Sequence, residues 1–444
     1  MPVPRPIVYV VEYYPPFGAG GAERTAALHA ELLARSGQPV LVVTPNYGAA
    51  PQERVRGVDV FRFPFQRLPA QEGRQVHQAR FLTPAYHRHA AREILRCIGG
   101  RRVRCLHAQN ANSMIGAALA SARLSVPLVT HIRDTASICG LGALCLMEPG
   151  RAAPPPRCGA GRHIACHVTR YVPAYQAGAS LKRRLAGAGY MAAVYGDFLW
   201  RKRVHRQAAR IVFASESLRK LYGTLRDFQD AGKHRVVYAP VIPEDGHETA
   251  SVADALPEAV RQLKGAGYPL VLYVGKVSKG KGGDVLFAAH RRLLGRMPEA
   301  RLVVAGNMDS QPWDYDRQRT VTLGFVERAR LGALYRACDV VALPSTWPEP
   351  LGWATLDAGR HAKPIVATRV GGIAEAVTHG VTGLLVEKLD EHGMSDALYT
   401  LLTDRALAQR MGAAARVHVQ GTFGEAAVRQ QLEHVYEGLG DDAA

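Results

Sequence analysis

Residues 269–290 read PLVLYVGKVSKGKGGDVLFAAH. A short apolar run stops at Gly275, a turn of lysines and glycines follows, and an amphipathic stretch opens near Asp284. A strand that passes through a glycine-rich turn into a helix is the first half of a parallel β-α-β unit. Similar runs follow: ARLVVAG (300–306), VTLGF (321–325), DVVALPS (339–345), PIVATR (364–369) and GLLV (383–386). An earlier series stands upstream, with IVYVV (7–11), VLVV (40–43), CLHA (105–108), PLVTHI (127–132), RIVFAS (210–215) and RVVYAP (235–240). Between the two lies PVIPEDGHETASVADALPEA (240–259), whose Pro, Gly and acidic content reads as a linker. The fold predicted is therefore α/β with two doubly wound, Rossmann-like domains facing each other across a cleft. The expected boundaries are residues 1–245, 246–421 and a final helix within 422–444 that packs back on the first domain.

The bulk numbers agree with that picture. A chain of 444 residues is long for one core, and 47% hydrophobic with 21% charged residues describes an ordinary globular protein. The amino terminus has one basic residue and a five-residue apolar run before Glu12, which predicts neither a signal peptide nor an anchor and hence a cytoplasmic protein. Cys139, Cys145, Cys158 and Cys166 share a short window with His163 and His167, but their spacings match no tight zinc pairing, and no metal is predicted. The net charge of +18 is uneven: residues 1–240 carry 34 Lys and Arg against 13 Asp and Glu, a net of +21. That half is expected to face something anionic. Nucleic acid is excluded as the partner, because no binding module is recognisable and the second half is close to neutral.

Three segments can carry chemistry. PPFGAGGAERTAALH (15–29) places Gly18, Gly20 and Gly21 before a helix whose first N–H groups could meet a phosphate. A dinucleotide site would need an acid at the end of the second strand, where Thr44 and Pro45 stand instead. Lys276, Lys279 and Lys281 crowd the turn after Gly275, where cations can neutralise a diphosphate. Finally, STWPEPLGWATLDAGRHA (345–362) holds Glu349 between Pro348 and Pro350, which keeps it on a loop at a strand's carboxyl end. Asp357 falls in the early turns of the next helix, so the two acids grip different parts of a ligand rather than forming one pair.

The order of the Gly-Gly turn, GKVSKGKG (275–282), EPLGWATLDA (349–358) and PIVATRVGGIAEAVTHGVTGLLV (364–386) resembles glycosyltransferase family 4, retaining enzymes of the GT-B fold that use nucleotide sugars. The resemblance implies that Lys276 and Lys281 hold the donor diphosphate and that Gly20 and Gly21 lie beside the phosphates. It further implies that Glu349 sits at the transferred sugar with the amides of the Pro350, Leu351 and Gly352 loop, and that Asp357 takes the nucleotide ribose. Asp357 stands where the family has glutamate and Leu351 where it has phenylalanine. A family histidine followed by aspartate is matched in THIRDTASIC (130–139) either by His131 or by Arg133 beside Asp134.

The implied function is transfer of a sugar from a nucleoside-diphosphate sugar to a hydroxyl of a glycan, glycolipid or lipid-linked acceptor, in cell-surface polysaccharide synthesis. The donor is a co-substrate, and no further cofactor is expected. An anionic membrane surface is the expected partner of the basic half. The alternative is a nucleotide-sugar epimerase on the same scaffold.

Overall fold

The computed structural model describes residues 4–18, 20–68, 76–139, 145, 159–171, 180–242 and 256–440. They form two compact units, one of the described residues up to 239 and again from 428, the other of residues 240–427. Most of the 240–259 linker segment, and Cys158, lie outside the described residues.

The first unit contains β1 (Ile7–Val10), β2 (Val40–Asn46), β3 (Gln52–Val55), β4 (Val58–Pro64), β5 (Cys105–Ala108), β6 (Leu128–Ile132), β7 (Arg210–Phe213) and β8 (His234–Val236). Their order is β3-β4-β2-β1-β5-β6-β7-β8, parallel throughout except for the antiparallel β3–β4 pair. Alternation along β1 divides the core between two faces. Val8 and Val10 pack with Ile94, Met114 and Ile115 of the helices Pro84–Ile98 and Ala111–Leu124. Ile7 and Tyr9 pack with Ala26, Ala30 and Leu33 of the helix Gly21–Arg35. On that second face lie also Val428, Leu432 and Val435, one stripe of the last helix, Glu425–Tyr436.

The β3–β4 hairpin is not among the strands that the sequence predicts. Its two-residue turn sets Arg56 at φ 46° and Gly57 at φ 83°. That is the twist a tight hairpin favours, but arginine is not the asparagine or aspartate that usually announces it.

The second unit contains β9 (Leu270–Val274), β10 (Arg301–Ala305), β11 (Thr320–Gly324), β12 (Val340–Leu343), β13 (Ile365–Thr368) and β14 (Gly383–Val386), in the all-parallel order β11-β10-β9-β12-β13-β14. The parallel strands of each sheet reverse their order once, between β1 and β5 in the first unit and between β9 and β12 in the second. Parallel α/β sheets bind ligands at the carboxyl edge beside such a reversal.

The longest helix of the first unit, Leu181–Gln207, carries charged residues near both ends and at Asp197, and no described helix is long and apolar enough to cross a membrane. Cys139 and Cys166 pack against Met191 and Val194 of this helix, and His163 lies against Tyr195. Among the described residues no group of His, Cys, Asp and Glu is arranged to hold a metal ion.

Candidate functional site

In the second unit the loops after β9 and β12, the two strands at the reversal, are locked together by backbone. Thr346 and Trp347 donate N–H bonds to the Gly280 carbonyl at 3.0 and 3.2 Å, and the Thr346 hydroxyl donates to the Lys279 carbonyl at 2.8 Å. Gly282, at φ 74°, opens the helix Gly283–Leu294, and a Cβ there would stand 1.8 Å from the Pro344 carbonyl oxygen. Only glycine permits both the left-handed turn and that approach.

This clamp brings Lys281 onto Glu349. The ammonium is bonded to Glu349 Oε1, which also accepts from the Ser345 hydroxyl at 2.9 Å, and it lies 5.5 Å from the centre of the Trp347 ring. Glu349 is buried and Lys281 is about a third exposed. The Glu349 backbone is gripped as well: Gly372 donates its N–H to the Glu349 carbonyl at 2.7 Å. Cβ atoms on Gly371 and Gly372 would fall 2.2 Å from Glu349 O and 2.1 Å from Pro350 O. Leu351 is buried, and Gly352, at φ 84°, turns the chain into the helix Trp353–Arg360. Lys276 is exposed beside Gly275, and its carbonyl accepts from the Tyr273 hydroxyl at 3.0 Å.

Asp357 is buried and already engaged. One nitrogen of Arg328, at the start of the helix Arg328–Ala337, donates to both carboxylate oxygens at 2.8 and 3.1 Å, and the guanidinium lies 5.0 Å from the centre of the Trp353 ring. Burial pushes Arg328 below its ordinary range, and the Asp357 charge works against that shift. Lys281 and Glu349 therefore meet, while Asp357 forms a second centre with Arg328, a residue to which no sequence pattern points.

In the first unit a cavity of about 300 Å³ opens at the carboxyl edge beside the β1–β5 reversal. Glu12, two residues beyond the end of β1, is buried, and Asn112 donates its amide to Glu12 at 2.9 Å and to Gln78 at 2.8 Å. Burial, reinforced by the Glu23 charge, pushes the Glu12 carboxyl up to about 8. Burial also raises Glu23, whose carboxylate accepts from the N–H groups of Gly20 and of its own residue. The helix end at Gly20 and Gly21 is thus already facing a carboxylate of its own first turn.

Of the alternatives in THIRDTASIC, His131 is deeply buried on β6, its ring stacked with those of His29 and His107 at 5.8 and 5.5 Å. Burial first, and then the Arg133 charge, hold all three histidines well below their usual range. Arg133 turns inward to Gln109 and to His131 Nδ1, whereas Asp134 is exposed and accepts the Ala136 N–H at 2.8 Å. All three line the cavity. Glu12 was legible as an acid ending the first strand, but Asn112 and Gln78 reach it only through the fold.

The model of "Glycosyltransferase Family 4" matches residues 19–245, and that of "Glycosyl transferases group 1" matches residues 258–418. A D-inositol 3-phosphate glycosyltransferase of Corynebacterium glutamicum (strain R) is 36% identical over 193 residues, covering 40% of this chain and 46% of that protein. A glycogen synthase of Mycobacterium tuberculosis is 34% identical over 187 residues, covering 40% and 45%. The chain spans about half the length of the curated relatives it matches. Among solved structures, sucrose-phosphate synthase from Thermosynechococcus elongatus superposes with a TM-score of 0.67 at 19% identity, covering 98% of each chain. Anabaena Alr3699/HepE in complex with UDP-glucose gives 0.65 at 18%, covering 98% of this chain and all of that one. These likenesses and the two parallel-sheet units show the GT-B fold.

Proposed function

The chain belongs to glycosyltransferase family 4, and on that premise we propose that it transfers a sugar, with retention, from a nucleoside-diphosphate sugar to a hydroxyl of a glycan, glycolipid or lipid-linked acceptor in cell-surface polysaccharide synthesis. The observation that carries this reading is the Lys281–Glu349 pair, clamped by glycine turns at the strand reversal of the second sheet. In the reaction the bond from the anomeric carbon to the diphosphate oxygen breaks and one to the acceptor oxygen forms on the same face. The acceptor proton leaves on the departing diphosphate. Negative charge grows on that diphosphate, and a cation held in advance stabilises it without reorganisation. Lys281 supplies the charge, Lys276 adds to it, and Glu349 both orients Lys281 and accepts from sugar hydroxyls. Asp357, shared with Arg328, serves the ribose end.

UDP-glucose, which Alr3699/HepE holds in its structure, is the first donor to try. A panel of sugar nucleotides should raise the melting temperature, since a ligand of the folded state adds stability by mass action. Lys281→Ala should lower turnover by on the order of 100-fold with the fold intact. Near-normal turnover in that variant would sink the donor assignment. Nucleotide-sugar conversion without any acceptor would instead favour an epimerase.

The net charge of +21 on residues 1–240, with Ile164 and Val168 exposed one turn apart, supports docking on an anionic bilayer at its cytoplasmic face. The protein should float with vesicles containing phosphatidylserine and not with neutral ones. Equal flotation with both would overturn the electrostatic part.

A further inference from the structure

We infer that Tyr436, on the last helix, is a positioning residue for Arg133, and that it acts through His107 and the stack of His29, His131 and His107 inside the first unit. The inference rests on the glycosyl-transfer reading only where turnover is its readout.

The path begins at a hydroxyl. Tyr436 is buried in the first unit, and its oxygen lies 2.6 Å from His107 Nδ1 and 3.0 Å from the Tyr9 hydroxyl, to which it donates. With that proton given to Tyr9, the Tyr436 oxygen accepts from His107 Nδ1, so the tautomer and the plane of the imidazole are fixed together. The Tyr9 ring, on the neighbouring strand, stands edge-on to His107 at 5.0 Å.

His107 passes this placement on in two ways. Its ring stacks on His131 at 5.5 Å, with the two planes 10° apart. Along the strand, Gln109 follows His107 by two residues and so shares its face, with its N–H still bonded to the Val10 carbonyl at 2.9 Å. Both routes end at Arg133. Its guanidinium donates through Nε to the Gln109 carbonyl at 2.9 Å, and through Nη2 to the Gln109 side-chain oxygen and to His131 Nδ1, the last at 3.2 Å. A guanidinium only donates, so His131 receives it on an unprotonated Nδ1 and carries its own proton on Nε2. Burial, and then the Arg133 charge, keep that ring neutral.

The partners of Arg133 are thus uncharged, whereas Glu23 and Asp134, whose charges act on it, line the same cavity. A hydrogen bond to a carboxylate is stronger than one to a neutral acceptor, so Arg133 stays on Gln109 and His131 only while those acceptors are held in place. Without the Tyr436 hydroxyl His107 is free to turn, the stack on His131 loosens, and Arg133 shifts toward the carboxylates.

The test uses the full chain labelled with nitrogen-15 in its histidines, and Tyr436→Phe, which removes the hydroxyl and keeps the ring. The imidazole nitrogen signals of His131, whose hydrogen bond is to Arg133 and not to Tyr436, should shift. His107→Phe keeps a ring in the stack but offers no nitrogen to Tyr436, and it should displace Arg133 in the same way and shift the same signals. Val435→Ala, at a buried position of the same helix, lowers stability without touching the path and should leave them in place. Turnover with the sugar nucleotide that raises the melting temperature most is the second readout. Tyr436→Phe should lower kcat/KM about fivefold or more while the melting shift caused by the nucleotide is kept, and in an Arg133→Ala background the same change should cost nothing further. His131 signals that coincide with the parent's, or that move equally in Val435→Ala, overturn the inference while transfer itself stands, as does a loss that adds in full to that of Arg133→Ala. Failure of every sugar nucleotide to turn over removes the glycosyl-transfer reading, and the nitrogen signals still decide whether Tyr436 positions Arg133.

Discussion

At the residue scale, the two acids of the EPLGWATLD segment have different fates. Glu349 is bonded to Lys281 and Ser345, and its carbonyl is tied to Gly372. Asp357 is bonded to Arg328. Read as sequence, Asp357 is a shortened ribose ligand; in the fold its charge is balanced by an arginine 29 residues upstream. Arg328→Ala leaves a buried carboxylate without its cation. Because Arg328 itself keeps some solvent access, the loss should be about 1–3 kcal/mol rather than the larger cost of a fully buried pair. Urea unfolding measures it, and donor affinity measured in parallel should fall as Asp357 loses its orientation. A variant as stable as the parent would mean that the pair is not formed in solution.

At the scale of elements, glycine turns rather than helices decide the geometry of the donor side. Gly282 sets one loop against Pro344, and Gly371 and Gly372 set another against the backbone of Glu349 and Pro350. Gly371, at φ 52°, faces both a conformational penalty and a collision when a side chain is added. Gly371→Ala should therefore displace the Glu349 loop, weaken donor binding at least about tenfold and cost roughly 2 kcal/mol of stability. Calorimetry of nucleotide binding checks the first and denaturant titration the second. By contrast Gly18, quoted from the first turn, has open space around its missing Cβ. Gly18→Ala is the natural control.

At the scale of the whole molecule, buried ionisable groups set the response to pH. His29 and His205 are lowered to about 3, and His107 and His131 well below 6.5, each chiefly by burial. As the pH falls below 6.5 the unfolded chain binds protons that the folded chain refuses, so stability is lost from there down toward the folded values. Each such histidine costs about 2 kcal/mol between pH 6.5 and 5. Glu12, raised to about 8, has the opposite sign and gains stability as the pH falls from about 8 toward 4.5. Four histidines outweigh it, together with Glu23, which is raised in the same direction. The urea midpoint should drop steeply from pH 7 to pH 5, and a midpoint that holds or rises would contradict this account.

Much of the architecture was legible because strand and helix are local statements. Buried parallel strands must be apolar runs, and PLVLYVG and IVYVV are such runs whatever surrounds them. The Lys281 and Glu349 segments were legible for a similar reason, since prolines and glycines restrict the backbone wherever they occur. The Arg56–Gly57 hairpin was not, because its turn residues carry only half of the usual signal. Nor were Arg328 behind Asp357, or Asn112 and Gln78 beside Glu12, for which nothing in their spacing speaks. The sequence by itself determined two doubly wound α/β units and the segments at their strand ends, because periodicity and backbone restriction act over a few residues. Only the tertiary structure decided which charges are paired, which carboxyls burial pushes upward and which polar groups share a cavity, because those depend on burial and on partners that the chain brings together from far apart.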